Sequence, residues 1–229
     1  MTQQLALPIA LDDDSTFENF YVAASHVFLL KKLGSFSTEN KSIYLAGPAG
    51  TGRTHLLQAM VQSEIAKKNT AFYLSFSNVD SFQTEILDHL ENFSLVCLDD
   101  IDRIAGNAAW EHALFHLYNR MKDTSAACIV SADKPPALSA FLLPDLKSRL
   151  TEMLVLPIHP LNDAEKKEIL ILRAKHRGLE LSPEVAEYLL SHFSRDLQSL
   201  IQMLIRLDHA ALAAQRRLTI PFVRHCEEH

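Results

Sequence analysis

Residues 47–55 read GPAGTGRTH. Gly47, Gly52, Arg53 and Thr54 follow the spacing of a phosphate-binding loop, G-x-x-x-x-G-K-[ST], with arginine where lysine is expected. An apolar run, Ser42-Ile43-Tyr44-Leu45-Ala46, precedes the loop, and a helical pattern opens at His55. Strand, glycine-rich turn and helix is the order that such a loop requires. Glycines allow backbone N–H groups to turn inward around phosphate oxygens, and a helix N-terminus adds partial positive charge. Pro48, Ala49, Gly50, Thr51, Gly52, Arg53, Thr54 and His55 are therefore the expected phosphate cradle. Thr54 would supply a hydroxyl to Mg²⁺.

Four further apolar runs, separated by helical patterns, resemble the one before the loop: residues 71–74, 95–98, 127–130 and 153–156. Continuous apolarity, in place of alternation, is what a strand covered by helices on both faces requires, so the runs predict an α/β fold with a five-stranded, mostly parallel sheet. Leu56, Met60 and Val61 recur at helical spacing, as do Trp110, Leu114, Leu117 and Met121, and both sets read as core stripes.

The texture changes after Pro160. Strand-like runs cease, and the remaining punctuation is helical: Asn162 with Glu165 as a capping box, Ser182-Pro183 as N-cap and first helical residue, and Thr219 with Pro221 opening the last helix. We expect an α/β domain over residues 16–160, a small all-α domain of three or four helices over 161–229, and a polar tail over 1–15.

Composition bounds the function. The chain has 229 residues, 48% apolar and 22% charged, as in an ordinary soluble protein. No run is long enough to cross a membrane, and the N-terminus lacks a basic leader and an apolar segment of signal-peptide length, which predicts a cytoplasmic protein. Cys97, Cys128 and Cys226 lie far apart and suggest neither a disulfide framework nor a zinc site. The eleven histidines read as surface or packing residues. A formal net charge of −6 argues against non-specific DNA binding by the whole chain.

LVCLDDID, residues 95–102, is an apolar run ending in carboxylates. Alone it would pass for a solvated acidic turn. Downstream of a phosphate-binding loop it has the form of a Walker B segment, in which Asp99 would hold Mg²⁺ through water and Asp100 would orient an attacking water.

With these motifs in order, the chain resembles the AAA+ ATPases of the bacterial initiator clade, the DnaA-related proteins, from Thr16 to Gln215. The resemblance implies an AAA+ P-loop NTPase core followed by a small helical lid. Thr16-Phe17-Glu18-Asn19-Phe20 is similar to the N-terminal box of that clade, which implies that Phe17, Phe20, Tyr21 and Val22 line an adenine pocket. Residues 129–136, IVSADKPP, resemble the sensor 1 strand, with Asp133 at the sensor position and Ser131 the lesser choice. Leu146-Lys147-Ser148-Arg149 resembles the box ending in the arginine finger. Ser194-Arg195-Asp196-Leu197 resembles sensor 2, with Arg195 as the sensor.

Two departures from DnaA carry further implications. The chain ends at His229, where DnaA proteins continue into a DNA-reading helix-turn-helix domain, so direct recognition of an origin sequence is not expected. Gln4-Leu5-Ala6-Leu7-Pro8 is similar to peptides that dock on the bacterial sliding clamp, the β subunit of DNA polymerase III: Leu5 and Leu7 would fill an apolar groove, with Gln4 hydrogen-bonding at its rim and Pro8 closing the motif. Together these features resemble the Hda-type regulatory paralogues that inactivate DnaA. Arginine at the loop's lysine position is usual in that group, and the resemblance implies ADP, or another nucleoside diphosphate, held with Mg²⁺ between core and lid, ATP being the alternative ligand. It further implies docking on the clamp at newly replicated DNA, Arg149 reaching the γ-phosphate of DnaA-bound ATP, and weak intrinsic ATPase activity. The faces that such modules expose would serve a homodimer or higher homo-oligomer as readily as a partner. A competing expectation is an autonomous ATPase such as a helicase loader, supported by Thr54, Asp99, Asp100 and both sensors. A P-loop kinase would need a second substrate pocket, for which the sequence offers no residues.

Overall fold

The computed structural model describes residues 11, 15–35, 41–194, 196–214 and 216–227. Five strands, β1 (Ser42–Ala46), β2 (Ala71–Ser75), β3 (Leu95–Asp99), β4 (Ala127–Ala132) and β5 (Leu154–Pro157), form one parallel sheet in the order β2-β3-β4-β1-β5. Among the described residues it is flanked by helices α1 (Val27–Gly34), α2 (Arg53–Ala66), α3 (Ala108–Lys122) and α4 (Pro144–Glu152).

Strand alternation explains the apolar runs. Ile43, Leu45, Leu95, Cys97, Ala127 and Ile129 face Leu29 and Leu33 of α1 and Leu56, Leu57, Met60 and Val61 of α2. Their neighbours Tyr44, Ala46, Val96, Leu98, Cys128 and Val130 face Trp110, Leu114, Leu117 and Met121 of α3 and Leu146 and Leu150 of α4. The central strands β1, β3 and β4 are buried on both sides along most of their length, so their runs are apolar without alternation. The same alternation keeps Cys97 and Cys128 on opposite faces, and both are free thiols. Burial pushes the Cys128 thiol up to about 12.

The strands extend beyond the apolar letters at their carboxyl ends, because Ser75, Asp99 and Ser131 also pair in the sheet. Met153 departs in the other direction. It caps α4 and is buried there, and β5 begins one residue later. The largest difference lies between β2 and β3, where residues 76–94 form three 3-10 turns in place of an α-helix. Ser75 caps the first turn through its side chain, and Asn78 interrupts it with non-helical angles, as residues that compete for backbone hydrogen bonds do.

The chain divides into two compact units at His159/Pro160. The second consists, among the described residues, of α5 (Asp163–His176), α6 (Pro183–His192), α7 (Leu197–Ala214) and α8 (Ile220–Glu227). The capping box is present: Asn162 Oδ1 accepts from Glu165 N–H at 2.9 Å, and Glu165 Oε2 accepts from Asn162 N–H at 2.8 Å. Ser182 caps α6 ahead of Pro183. Leu170, Ala174, Leu189, Leu200, Leu204, Leu207 and Val223 form this unit's own core. The histidines are not all isolated, since His112 and His116 stand one turn apart on α3 with ring centroids 6.4 Å apart. Among the described residues no third metal-binding side chain joins them. No described helix is long and apolar enough to cross a membrane.

Candidate functional site

Parallel register brings the carboxyl ends of β1, β3 and β4 together: Ala46 pairs with Ala132, and Leu98 with Val130. Ligands in open α/β sheets bind at this edge. From it emerge the phosphate-binding loop, Asp99-Asp100 and Asp133.

The loop is tied down at its start, where Gly47 N–H donates to Ala132 O at 3.1 Å. A Cβ on Gly47 would lie 2.4 Å from the carbonyl oxygen of Ile158, so only glycine fits. Thr51 Oγ1 donates to Pro48 O at 2.8 Å, which closes the turn and leaves Pro48, Ala49 and Gly50 exposed. Gly52 caps α2 with φ +94°, and a Cβ there would meet Phe20 Cε2 at 2.9 Å. Glycine is required twice over, by backbone angle and by contact.

The contact at Gly52 places the N-terminal box. Phe20 is buried, and its ring lies 5.4 Å from each of the His26 and His55 rings. His55 Nε2 lies 2.6 Å from Thr16 O, which ties the segment to the first turn of α2. Phe17 packs on the same cluster, Tyr21 is half-buried with its carbonyl 3.5 Å from His26 Nδ1, and Val22 is exposed. His26 was missed by the sequence reading; it is a single letter within an apolar helical pattern.

The polar centre follows from alternation along the strands. Tyr73, Asp99 and Ser131 continue the residues that face α2, and there they meet. Asp99, 1% exposed, accepts on Oδ2 from Thr54 Oγ1 at 2.7 Å and from the Tyr73 hydroxyl at 3.0 Å, and on Oδ1 from Ser131 Oγ. Ser131 Oγ also accepts from Asp100 N–H at 3.0 Å, so it bridges the two acidic residues. Burial, then the neighbouring Asp99, raises the Tyr73 phenol well above its usual range. A tyrosine inside a buried strand must place its hydroxyl. That rule was the available signal for Tyr73.

Asp100 takes a left-handed φ of +56° as the chain leaves β3. Burial and the charge of Asp99 push its carboxyl up to about 6, against the opposing pull of Arg53. Arg53 Nη2 donates to Asp100 Oδ1 at 2.8 Å and pairs with Asp133 Oδ1 at the same distance. Asp102, which the sequence reading left without a role, accepts from Asp133 N–H at 3.2 Å.

Arg149 sits on the outer side of α4, one-third exposed, with Leu146 and Leu150 buried on the inner side as their spacing predicts. It pairs with Glu152 at 3.0 Å. Glu111, also missed, fixes this helix. Its carboxylate, 1% exposed, accepts from the N–H groups of Gly106 (2.7 Å), Leu142 (2.9 Å) and Leu143 (2.7 Å), immediately before Pro144. Arg195, and Gln4, Leu5, Leu7 and Pro8, lie outside the described residues.

The residues present suit a phosphate ligand and a hard divalent cation. Arg53 Nη1 is buried without an acceptor among the described residues, a fault that an anionic oxygen would repair. Thr54 and Asp99 supply oxygen ligands of the kind Mg²⁺ takes, directly or through water.

Comparison with known proteins agrees with this arrangement. Residues 11–157 match the family model of the bacterial DnaA ATPase domain, and residues 163–226 match that of the Hda lid domain. An uncharacterized protein of Haemophilus influenzae is 42% identical over 98% of both chains. Domain III of the Thermotoga maritima replication initiation protein DnaA shares the fold with a TM-score of 0.79 at 22% identity, covering 93% of this chain and 95% of that one. A replication initiator DnaA bound to AMPPCP and single-stranded DNA does so with a TM-score of 0.72 at 22% identity, over 90% and 69%. The chain thus belongs to the DnaA-related AAA+ family, of the Hda type.

Proposed function

We propose that this protein is a negative regulator of replication initiation: a nucleotide-holding AAA+ protein that docks on the DNA-loaded sliding clamp and stimulates ATP hydrolysis by DnaA. The observation that carries the proposal is the outward setting of Arg149. Leu146 and Leu150 anchor α4, Glu111 pins its approach, and the guanidinium is left one-third exposed, paired among the described residues with Glu152. The i,i+3 pair with Glu152 is partly exposed and screened by solvent, so Arg149 can leave Glu152 at little cost. An arginine supplied in trans to a phosphoryl-transfer transition state accelerates hydrolysis by roughly 10³ to 10⁵.

In this mechanism the chain's own nucleotide is structural. The loop N–H groups and Arg53 bind the phosphates of ADP, Thr54 and Asp99 hold Mg²⁺ where it is present, and Phe17, Phe20, Tyr21 and Val22 shape the base pocket. Mg²⁺ supplies charge neutralisation at the phosphates. Arg195 would be the sensor of the bound nucleotide. Leu5 and Leu7 bring the protein to the clamp, and self-association through the same faces competes with DnaA.

The test is ligand stabilisation measured beside turnover. ADP should raise the melting temperature progressively with concentration, as mass action requires, and the protein alone should hydrolyse ATP slowly. Fast turnover without a partner, abolished by Asp100→Asn, would identify an autonomous ATPase instead.

A further inference from the structure

Arg53 is where the loop departs from its expected lysine, and its side chain is 7% exposed. The two terminal nitrogens have different surroundings. Nη2 lies 2.8 Å from carboxylate oxygens of both Asp100 and Asp133. Nη1 is buried and has no acceptor among the described residues. Arg53 is also the first residue of α2, after Gly52, where the helix end favours an anion.

We infer that Arg53 is a two-sided bridge, Nη1 taking a terminal phosphate oxygen of a nucleoside diphosphate while Nη2 holds Asp100 and Asp133, and that Asp133 thereby becomes the residue that sets diphosphate over triphosphate. The inference rests on reading the loop as a nucleotide site. A lysine would perform both tasks less well, because its ammonium gathers its donors at one nitrogen, whereas the guanidinium is a rigid planar fork with two separated terminal nitrogens.

The carboxylates are held in place by backbone contacts. Asp100 is fixed by its N–H to Ser131 Oγ and its left-handed turn. Asp133 is fixed by its N–H to Asp102, and the next residue's carbonyl accepts from the Tyr44 hydroxyl at 2.8 Å. Asp100, Asp102 and Asp133 each place an oxygen within 4.8 Å of the others. The Arg53 guanidinium pairs directly with two of these acids, Asp100 and Asp133. A diphosphate that ends at Nη1 repairs the unpaired donor and leaves the ion pairs intact. A further phosphate on the same side would carry its charge toward the acids, and drawing Arg53 to it would strip them of their cation. Asp133 is about half exposed, so it can be neutralised with little cost to the fold.

The experiment is calorimetric titration of ADP and of non-hydrolysable AMPPCP into the full chain, with EDTA and again with Mg²⁺, for wild type, Asp133→Asn and Arg53→Lys. Wild type should bind ADP more tightly than AMPPCP. Asp133→Asn removes one unit charge at a partly exposed position and should improve AMPPCP relative to ADP by roughly tenfold. Arg53→Lys should weaken ADP and narrow the ratio. An unchanged ADP-to-AMPPCP ratio in Asp133→Asn, with ADP binding retained, would overturn the inference and leave the nucleotide-site reading standing. If wild type bound neither nucleotide, that underlying reading would fail and take the inference with it.

Discussion

Gly52→Ala perturbs the loop at one atom, and the structure gives the consequence two parts. The residue sits at φ +94°, a region that costs an L-residue about 1–2 kcal/mol. The new methyl would also lie 2.9 Å from Phe20 Cε2, so the buried ring must turn off its rotamer for about another 1 kcal/mol. The sum, about 2–3 kcal/mol, should lower the melting temperature by roughly 5–10 °C. Gly106→Ala is the internal control: its φ is +88°, and nothing lies within 4 Å of the added Cβ. It should show only the backbone part. Differential scanning calorimetry with and without ADP separates the two, because displacement of Phe20 should also blunt stabilisation by ADP in Gly52→Ala and not in Gly106→Ala. Equal melting temperatures and equal ADP responses in the two variants would refute the claim that Phe20 packs the box onto the loop.

Glu111→Gln keeps the shape of the side chain but replaces one accepting oxygen with a donor facing backbone N–H groups; urea denaturation should show a loss of about 2 kcal/mol, and wild-type stability would mean that the pin before Pro144 is incidental. Tyr73→Phe removes a single hydroxyl from Asp99 and should cost about 1 kcal/mol by the same measurement, with no change expected if the hydroxyl were indifferent. Leu5→Ala with Leu7→Ala should weaken binding to the clamp by about 2 kcal/mol per residue in a calorimetric titration and leave the melting temperature alone; retained clamp affinity would remove the tail from the account.

The parts of this molecule that were legible in the sequence are those in which one physical demand acts on consecutive residues. Burial on both faces makes a strand apolar along most of its length, and the apolar runs of the central strands β1, β3 and β4 follow from it. The phosphate-binding loop is likewise contiguous, and so are the caps at Asn162 and Ser182. What escaped are contacts made by register. Tyr73, Asp99 and Ser131 stand on three strands and meet because alternation turns them to one face, yet Tyr73 reads as one more apolar letter inside its run and Asp99 and Ser131 as polar letters near the ends of theirs. Glu111 and Leu142 are joined only in space, as are Phe20 and Gly52. The apolar runs were read as separated by helical patterns, but between β2 and β3 there are 3-10 turns, where Ser75 and Asn78 offer the backbone other bonds.

The central claim is that this chain acts on another molecule's nucleotide, and Arg149→Ala tests it most directly. Hydrolysis of DnaA-bound ATP should be measured with clamp loaded on DNA, in parallel with ADP binding, clamp binding and melting temperature of the variant. The account predicts that the three controls stay at wild-type values, since Arg149 gives the fold only a partly exposed pair with Glu152, while stimulation of DnaA falls by roughly 10³ or more. Stimulation by Arg149→Ala equal to that of wild type would contradict it.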